Sequence, residues 1–373
     1  MTVMDHRFPG QAVVGLNAVD DLGALVARFA PAHVLVVSDP VLDRAGVMRR
    51  ALEPLARAGI ATTTYTDITG EPTIATVRAA AAFAAATKPD CVVGIGGGSV
   101  IDVAKLVAAL VTNGGDVTEY WGNDQFRRRP LPKVLIPTTA GTGSEVSQAA
   151  VIADDVNVKH AARGWALLAD VAVVDATLTV SAPPKVTADS GMDAITHAIE
   201  AYLGRRACAL SDALAERAFE LLAANLVRAF RDGADLDARA ATLEGSMLAG
   251  MAFNSAGLGA VHALAYPLDT HFHVPHGRTN AVLLPAVLRF NAPQAAAKLR
   301  RLAELAGTDD LAGWVDGLLA ALSISPSLRD YGVPRAQVEE LAREGWDSGQ
   351  RLLVNNPREM SRGEAEALYQ SIW

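Results

Sequence analysis

The chain has 373 residues, of which 50% are hydrophobic and 20% charged, with a formal net charge of −8. This length predicts two domains with packed cores, and the composition excludes a disordered chain. The acidic balance excludes a nucleic-acid-binding protein, because phosphates require a basic face. Two cysteines offer no disulfide framework, and neither a signal peptide nor a membrane-spanning apolar run is present. We therefore expect a cytoplasmic protein without a membrane partner.

Residues 1–183 alternate short apolar runs with helical patterns. The apolar runs are rich in valine and isoleucine and predict strands at residues 34–37, 62–65, 91–95, 133–136 and 171–174. Helical patterns lie between them at residues 42–58, 74–86 and 100–110. Strands separated by helices indicate crossover connections, so we expect an α/β domain with a mainly parallel sheet over residues 1–183.

From about Pro184 the strand signal fades and long amphipathic patterns follow. They predict helices at residues 193–203, 210–231, 240–264, 295–306, 311–322, 335–342 and 362–372. We therefore expect an all-helical second domain over residues 184–373, with Pro183 and Pro184 at the boundary.

A glycine-rich segment, here named the glycine loop (residues 96–99), lies between a predicted strand and a helix. Glycines let a backbone approach a diphosphate, and the N-terminus of the next helix attracts negative charge. Ser99 and Asp102 are also spaced as a capping box, which by itself would make the segment a helix start. The segment has neither the P-loop pattern nor the standard dinucleotide fingerprint.

A second polar segment, the threonine loop (residues 138–145), follows the next predicted strand. Its hydroxyls could contact a nicotinamide, or it is a polar turn. Two such loops at consecutive strand ends favour a dinucleotide site, because ligands collect at the carboxyl edge of a parallel sheet. Asp39 follows the first strong strand, where an acid can bind both ribose hydroxyls and repel a 2′-phosphate. It could equally belong to a simple Asp-Pro turn.

A ligand set for a divalent metal is divided between two segments. Asp193 and His197 are four residues apart on one helix face, although such a pair is often a surface couple. His262 is expected near the end of a helix that Pro267 breaks, and His276 in a loop. Any one histidine could be a hydrogen-bonded core residue. One carboxylate with three imidazoles, however, is a ligand set for a borderline divalent metal.

Further polar side chains lie between the two distal histidines of this set. Tyr266 follows His262 by four residues and shares its side if the helix persists, or it is an interfacial aromatic. His271 and His273 could line a polar cleft or be solvated loop residues. Tyr266 and His271 are therefore the candidate catalytic groups for proton transfer.

Together these segments resemble the iron-dependent (group III) alcohol dehydrogenase family. The matches are GGGSVIDVAK at residues 96–105, PTTAGTGSE at 137–145, SGMDAITHAIE at 190–200, the histidine-rich stretch 259–277 and NNPR at 355–358. The resemblance implies a dehydroquinate synthase-like architecture, a dinucleotide-binding α/β domain before a helical one, and a homodimer. It implies metal ligands at Asp193, His197, His262 and His276. NAD(H)-binding positions are implied at Asp39, Gly96, Gly97, Gly98, Ser99, Asp102, Thr138, Thr139, Thr142 and Lys159.

The resemblance also implies a reaction, the NAD(H)-linked interconversion of a small primary alcohol and its aldehyde. The metal would polarise the substrate oxygen; Fe²⁺ is the family's ion, and the ligand types suit Zn²⁺ equally. The alternatives are a dehydroquinate synthase-like lyase, a metal-dependent hydrolase and a non-catalytic nucleotide-binding protein.

Two positions depart from the family pattern. Many members have histidine where this chain has Tyr266, and glycine is common where it has Asp269. The metal assignment survives both departures, but the proton donor stays open. The substrate is open as well, since a hydroxy or simple aldehyde is as consistent as an anionic one. Cationic side chains that could attract an anionic aldehyde are Lys159, Arg163, His271, His273 and Arg278.

Overall fold

The computed structural model describes residues 5–156 and 158–373, so residues 1–4 of the predicted first domain lie outside it. The chain divides into two compact units. One, the α/β unit, is Arg7–Ala182; the other, the helical unit, contains Pro183–Trp373 together with Asp5 and His6.

The α/β unit is built on a parallel sheet. Its strands in the described residues are β1 Ala12–Val14, β2 His33–Val37, β3 Ala61–Tyr65, β4 Cys91–Gly96, β6 Lys133–Pro137 and β9 Val171–Val174. Their order is β1-β9-β6-β4-β2-β3, and every pairing is parallel. A smaller sheet joins β5 Gly122–Asn123, β8 Lys159–Arg163 and β7 Ala149–Ala153, with β7 and β8 antiparallel. The predicted mainly parallel sheet is confirmed.

Helices cover both faces of the larger sheet. They are α1 Leu22–Ala27, α2 Pro40–Arg44, α3 Val47–Arg57, α4 Ile74–Thr87 and α5 Gly98–Asn113. Successive strand residues face opposite layers: Leu35 shares a core with α4 and α5, whereas Val34 shares one with α1 and α3. The single helix predicted at residues 42–58 is wrong, because the chain turns at Gly46 and forms two helices instead.

The helical unit confirms the predicted all-helical C-terminal part. Its helices are α6 Pro184–Leu203, α7 Ala209–Arg231, α8 Leu236–Ala256, α9 Ala260–Phe272, α10 His276–Leu305, α11 Leu311–Ala321, α12 Val338–Ser348, α13 Gln350–Leu353 and α14 Arg362–Ser371. Helix α6 begins at Pro184 instead of residue 193. Proline is tolerated at the first helical position, because the N–H that it lacks would have no helical partner there. Every residue of α6 from 192 to 203 is buried, so its polar side chains lie inside a packed core.

The helix predicted at residues 240–264 is wrong. It is broken at Gly257 into α8 and α9, whose axes differ by 109°. Asn355 holds this turn, because its side-chain amide donates to the carbonyls of Ala256 and Leu258. In the described part of the chain no single helix is long and apolar enough to cross a membrane, and α8 and α9 meet that criterion only as this bent pair.

The break changes where three residues lie. His262 is in the first turn of α9, not near a helix end, and Pro267 lies inside α9 without ending it. A proline interior to a helix costs one hydrogen bond, which the buried packing of α9 offsets. His276 is the first residue of α10 and does not lie in a loop.

Candidate metal centre and nucleotide-binding loops

Three helices of the helical unit bring predicted metal ligands together. Asp193 lies on α6, His262 on α9 and His276 on α10, and one ligand atom from each lies within 4.8 Å of the others. Asp193 Oδ1 is 3.5 Å from His262 Nε2 and 3.8 Å from His276 Nε2. A carboxylate oxygen and two imidazole nitrogens therefore converge in a buried position.

His197 borders this group. It lies one helical turn after Asp193, and its Nε2 is 3.6 Å from Asp193 Oδ1. Its ring stacks on the ring of His262, with centroids 4.7 Å apart, and packs against Phe253. The convergent group thus contains three of the four predicted ligands, with the fourth directly beside it.

Two buried carboxylates hold the ligand histidines from behind. His262 Nδ1 donates to Glu200 Oε2 at 2.6 Å, and His276 Nδ1 donates to Asp269 Oδ2 at 2.7 Å. A carboxylate can only accept, so each contact directs the Nδ1 proton to the carboxylate and turns Nε2 toward the other ligand atoms. Such carboxylate–histidine pairs orient metal ligands in many proteins. Sequence reasoning did not identify Glu200 as a site residue.

Asn280 is a further residue that sequence reasoning missed. It is fully buried, and its Nδ2 lies 2.8 Å from Asp193 Oδ1, 3.1 Å from His262 Nε2 and 3.2 Å from His276 Nε2. One nitrogen within reach of all three ligand atoms shows that these atoms face a common point. Its buried Oδ1 has no hydrogen-bond partner among the described residues. The only sequence signal was its spacing of four residues from His276.

The electrostatics of the group suit a cation. Burial alone would raise the pKa of Asp193, but the imidazoles of His197, His262 and His276 outweigh it and hold the pKa well below its usual range. Burial lowers the pKa of His262, but Glu200 and Asp193 outweigh it and raise the pKa to about 9. The site therefore stabilises ionised carboxylates and a positive charge placed next to them. A divalent cation fits this donor set, because it would balance the buried carboxylates.

The start of α10 is pressed against α6, which fixes His276. A Cβ on Gly277 would lie 1.9 Å from the carbonyl oxygen of Asp189, so only glycine allows this approach. Arg278 Nε donates to Asp189 Oδ1 at 2.7 Å and ties the same two helices together.

The two candidate proton-transfer residues lie on different sides of α9. Tyr266 is one turn after His262 and therefore shares its side of the helix. His271 is nine residues after His262, which is half a turn out of phase. Its side chain is 47% exposed, and its Nε2 contacts Glu344 Oε2 of α12 at 2.7 Å. The geometry supports Tyr266 over His271 as a group beside the metal ligands.

In the α/β unit the predicted nucleotide loops lie at one edge of the sheet. β2, β4 and β6 are neighbours and parallel, so Asp39, the glycine loop and the threonine loop all follow carboxyl ends of adjacent strands. The chain passes from β2 outward to β3 and then returns to β4 on the other side of β2. This reversal of strand order creates the crevice in which such sheets bind ligands.

The two loops pack against each other. The α5 helix begins at Gly98 with Gly97 as its N-cap, so Ser99 lies inside the helix and its reading as the N-cap of a capping box is wrong. A Cβ on Gly98 would lie 2.6 Å from Thr142 Cγ2, and one on Gly97 would lie 3.7 Å from Thr139 Oγ1. Thr138 is buried at the end of β6. The glycine loop is thus a bare helix N-terminus lined by threonines.

A buried network supports the threonine loop from below. Asp102 accepts from Ser144 Oγ at 2.5 Å and from the Val151 backbone at 2.9 Å, so both of its oxygens are engaged within the protein. Lys105 Nζ donates to Ser144 Oγ at 2.7 Å and to the Ala149 carbonyl at 2.8 Å. Burial lowers the pKa of Lys105, against the opposing effect of Asp102. These contacts make Asp102 a support of the loop.

Asp39 and Lys159 also make contacts within the α/β unit. Asp39 is the N-cap of α2, and its Oδ1 accepts from the backbone N–H groups of Val41 and Leu42 at 2.8 and 2.9 Å. Lys159 lies in β8, with its Nζ 2.7 Å from Glu71 Oε1. Asp39 therefore uses one carboxylate oxygen to cap α2, and Lys159 forms an ion pair with Glu71.

Both units of the chain match models of known protein families. Residues 9–176 match the family described as "Iron-containing alcohol dehydrogenase", and residues 187–373 match "Fe-containing alcohol dehydrogenase family, C-terminal". The chain is 38% identical to "Long-chain-alcohol dehydrogenase 1" of Geobacillus thermodenitrificans, over 100% of this chain and 97% of that protein.

Solved structures show the same fold. A 1,3-propanediol oxidoreductase superposes with a TM-score of 0.96 at 32% identity, covering 100% of both chains. A sulfoacetaldehyde reductase from Bifidobacterium kashiwanohense in complex with NAD⁺ superposes with a TM-score of 0.92 at 26% identity, covering 100% of this chain and 99% of that one. The chain belongs to the iron-containing alcohol dehydrogenase family.

Proposed function

We propose that the helical unit of this alcohol dehydrogenase holds one divalent cation on Asp193, His197, His262 and His276. The convergence of Asp193 Oδ1 and two imidazole Nε2 atoms, each imidazole held by a carboxylate, is the observation that carries the proposal. We propose Fe²⁺ as the natural ion, in line with the family name; the ligand types accept Zn²⁺ as well.

The reaction is the NAD(H)-linked interconversion of an alcohol and its aldehyde. A bound cation supplies Lewis acidity toward the substrate oxygen. Glu200 and Asp269 accept from Nδ1 of the two imidazoles and hold each Nε2 toward the ion, which would take the place of any proton there. Tyr266, on the His262 side of α9, is proposed as the group that exchanges the proton, since a phenol beside a cation can donate.

The α/β unit is proposed to bind NAD(H) at the carboxyl edge of its sheet. The diphosphate would lie at the glycine loop, where the N-terminus of α5 offers unpaired N–H groups. Thr138, Thr139 and Thr142 would contact the nicotinamide side. Asp39 would read the ribose with Oδ2, the oxygen that does not cap α2. A carboxylate at this position favours NAD over NADP.

We propose a small uncharged alcohol as the substrate. Three of the five cationic side chains that could attract an anionic aldehyde are committed elsewhere: Lys159 to Glu71, His271 to Glu344 and Arg278 to Asp189. An anionic aldehyde is the second candidate, because the chain resembles a sulfoacetaldehyde reductase. Measuring kcat/KM for propanal, lactaldehyde and sulfoacetaldehyde with NADH distinguishes the uncharged substrate from the anionic one. A higher kcat/KM for the sulfonate would reject the uncharged substrate.

Replacement of ligands tests the proposed metal site. His262→Ala and His276→Ala are expected to lose bound metal and about 1,000-fold in turnover, the several kcal/mol that a Lewis acid supplies. Metal content is measured by mass spectrometry and turnover by NADH absorbance. His271→Ala, on the same helix as His262 but outside the ligand group, is the matched control. Full activity without metal in either ligand variant would reject the proposal.

We also propose a homodimer. Strand β1 lies at the edge of the sheet, so the backbone groups on its outer side are available for pairing with another strand. Val14 at its end and Leu16 just after it are each 48% exposed. Light scattering of the purified chain measures its mass, and a monomer at all concentrations would contradict this assembly.

A further inference from the structure

We infer that Asp269 is a positioning residue for the metal site, which sets the orientation of the His276 ring and thereby the affinity for the cation. This inference rests on the proposed metal site. Its basis is the contact between Asp269 Oδ2 and His276 Nδ1, 2.7 Å long, made by a residue that is only 6% exposed.

His276 needs such a contact more than the other ligands do. Its side chain is 33% exposed, whereas those of His197 and His262 are 6% and 4% exposed. It is the first residue of α10, so no preceding helical turn packs against its ring. Ring rotation about χ1 and χ2 would carry Nε2 away from Asp193 into solvent. The hydrogen bond from Nδ1 to a buried carboxylate holds one orientation.

Asp269 is placed for this task by the same helix that carries a ligand. It lies seven residues after His262 on α9, which is close to two full turns, so both side chains face the same way. The carboxylates form a series along the chain: Glu200 of α6 holds His262 of α9, and Asp269 of α9 holds His276 of α10. A shift of α9 would therefore move one ligand and the support of another together.

The contact also acts on the electron density of the ligand. A carboxylate that accepts from Nδ1 increases the basicity of Nε2 and strengthens its bond to a cation. Glycine at this position would remove both effects. The inference therefore predicts a metal affinity in this chain that depends on a residue outside the ligand set.

The test compares Asp269→Gly, Asp269→Asn and the wild type. Each is stripped of metal, and the dissociation constant for Zn²⁺ is measured by competition with a chromogenic chelator. Loss of a carboxylate that supports a metal ligand typically weakens binding about 10- to 100-fold, which is expected for Asp269→Gly. Asp269→Asn keeps an acceptor oxygen without the charge, so an intermediate weakening is expected.

Glu344→Gln is the matched control. Glu344 contacts His271, a histidine on the same helix that is outside the ligand group, so this variant should bind Zn²⁺ like the wild type. The thermal midpoint of each protein is also measured with and without Zn²⁺. A positioning role reduces the increase that Zn²⁺ produces, whereas a purely structural role lowers the metal-free midpoint and leaves the dissociation constant unchanged.

The outcomes separate this inference from the proposed metal site. If the wild type binds Zn²⁺ and His262→Ala does not, but both Asp269 variants bind within about twofold of the wild type, the positioning role is overturned and the metal site stands. If His262→Ala binds like the wild type, the metal site itself is rejected. Should Asp269→Gly fail to fold, the isosteric Asp269→Asn decides alone, and an unchanged dissociation constant overturns the inference.

Discussion

The metal centre and the nucleotide loops are built in opposite ways. In the helical unit, the proposed metal site consists of side chains such as Asp193 and His262, which project from buried helices, and Glu200 holds His262 from behind. In the α/β unit, the proposed nucleotide site consists of the glycine-rich backbone at the N-terminus of α5, and side chains hold that backbone in place. A side-chain site is therefore sensitive to the chemistry of each residue, and a backbone site to the space around it.

The largest effect within the nucleotide half is expected for Lys105→Met. Lys105 is fully buried and joins the threonine loop to β7, and its loss leaves Asp102 without a positive partner. Breaking such a buried pair costs about 3 kcal/mol of unfolding free energy. Urea unfolding followed by circular dichroism measures it. The double variant Lys105→Met/Asp102→Asn should recover part of the loss, and a single variant as stable as the wild type would show that the pair is not a support.

The next effect concerns the space at the glycine loop. In Gly98→Ala the added Cβ would lie 2.6 Å from Thr142 Cγ2, so the two loops must move apart. Overpacking of this kind costs about 2 kcal/mol. If this cost falls on the loop conformation that binds NADH, the dissociation constant for NADH rises roughly 30-fold. NADH fluorescence titration gives the dissociation constant. Gly317→Ala in α11 is the control, because a Cβ there meets no atom within 4 Å.

A smaller effect is expected from Asp39, which has both a capping and a ribose-reading role. Asp39→Ser keeps a side-chain acceptor for the N–H groups of Val41 and Leu42 but removes the charge. The ratio of kcat/KM for NADP to that for NAD should rise about tenfold, because a 2′-phosphate is no longer repelled. Asp39→Ala should change the ratio equally and also lower the thermal midpoint. An unchanged ratio in both variants would leave only the capping role.

The smallest effect is expected for His271→Asn. The His271–Glu344 pair is about half exposed, and such surface pairs contribute at most about 1 kcal/mol to stability. The turnover number should stay within about twofold of the wild type, since the side chain faces away from the ligand group. A large fall in kcat with intact metal content would restore His271 as a proton-transfer residue and place catalytic chemistry on the outer side of α9.

The two units also differ in which of their elements could be predicted from the sequence. Strands β2, β4, β6 and β9 are runs of buried valine and isoleucine, a pattern with little ambiguity. Three of the five residues of β7 are alanine, β8 combines two alanines with basic residues, and β5 has only two residues, so none carries a strong strand signal. Both incorrectly merged helices are interrupted at a glycine, which the apolar periodicity on either side conceals.

Ligand types are visible in a sequence, but their supports are not. Histidines in compact clusters are rare enough to suggest a metal, so the sequence predicts His262 and His276 as ligands. Glu200, Asp269 and Asn280 are ordinary polar residues, and only the packing of α6, α9 and α10 shows that they face the histidines. Likewise, Asp102 and Lys159 matched a motif, while their partners Ser144 and Glu71 lie far away in the sequence.

The continuous burial of α6 from residue 192 to 203 has a consequence for directed evolution of this enzyme. A substitution within that stretch disturbs the core that positions the proposed ligands Asp193 and His197, so we expect libraries that include it to contain mostly inactive proteins. Freedom to vary lies instead between the two distal ligands, where His271, His273 and Pro275 are exposed. Diversifying these three positions, with Asp269 retained, would vary the surface of the helical unit and leave the proposed ligand set in place.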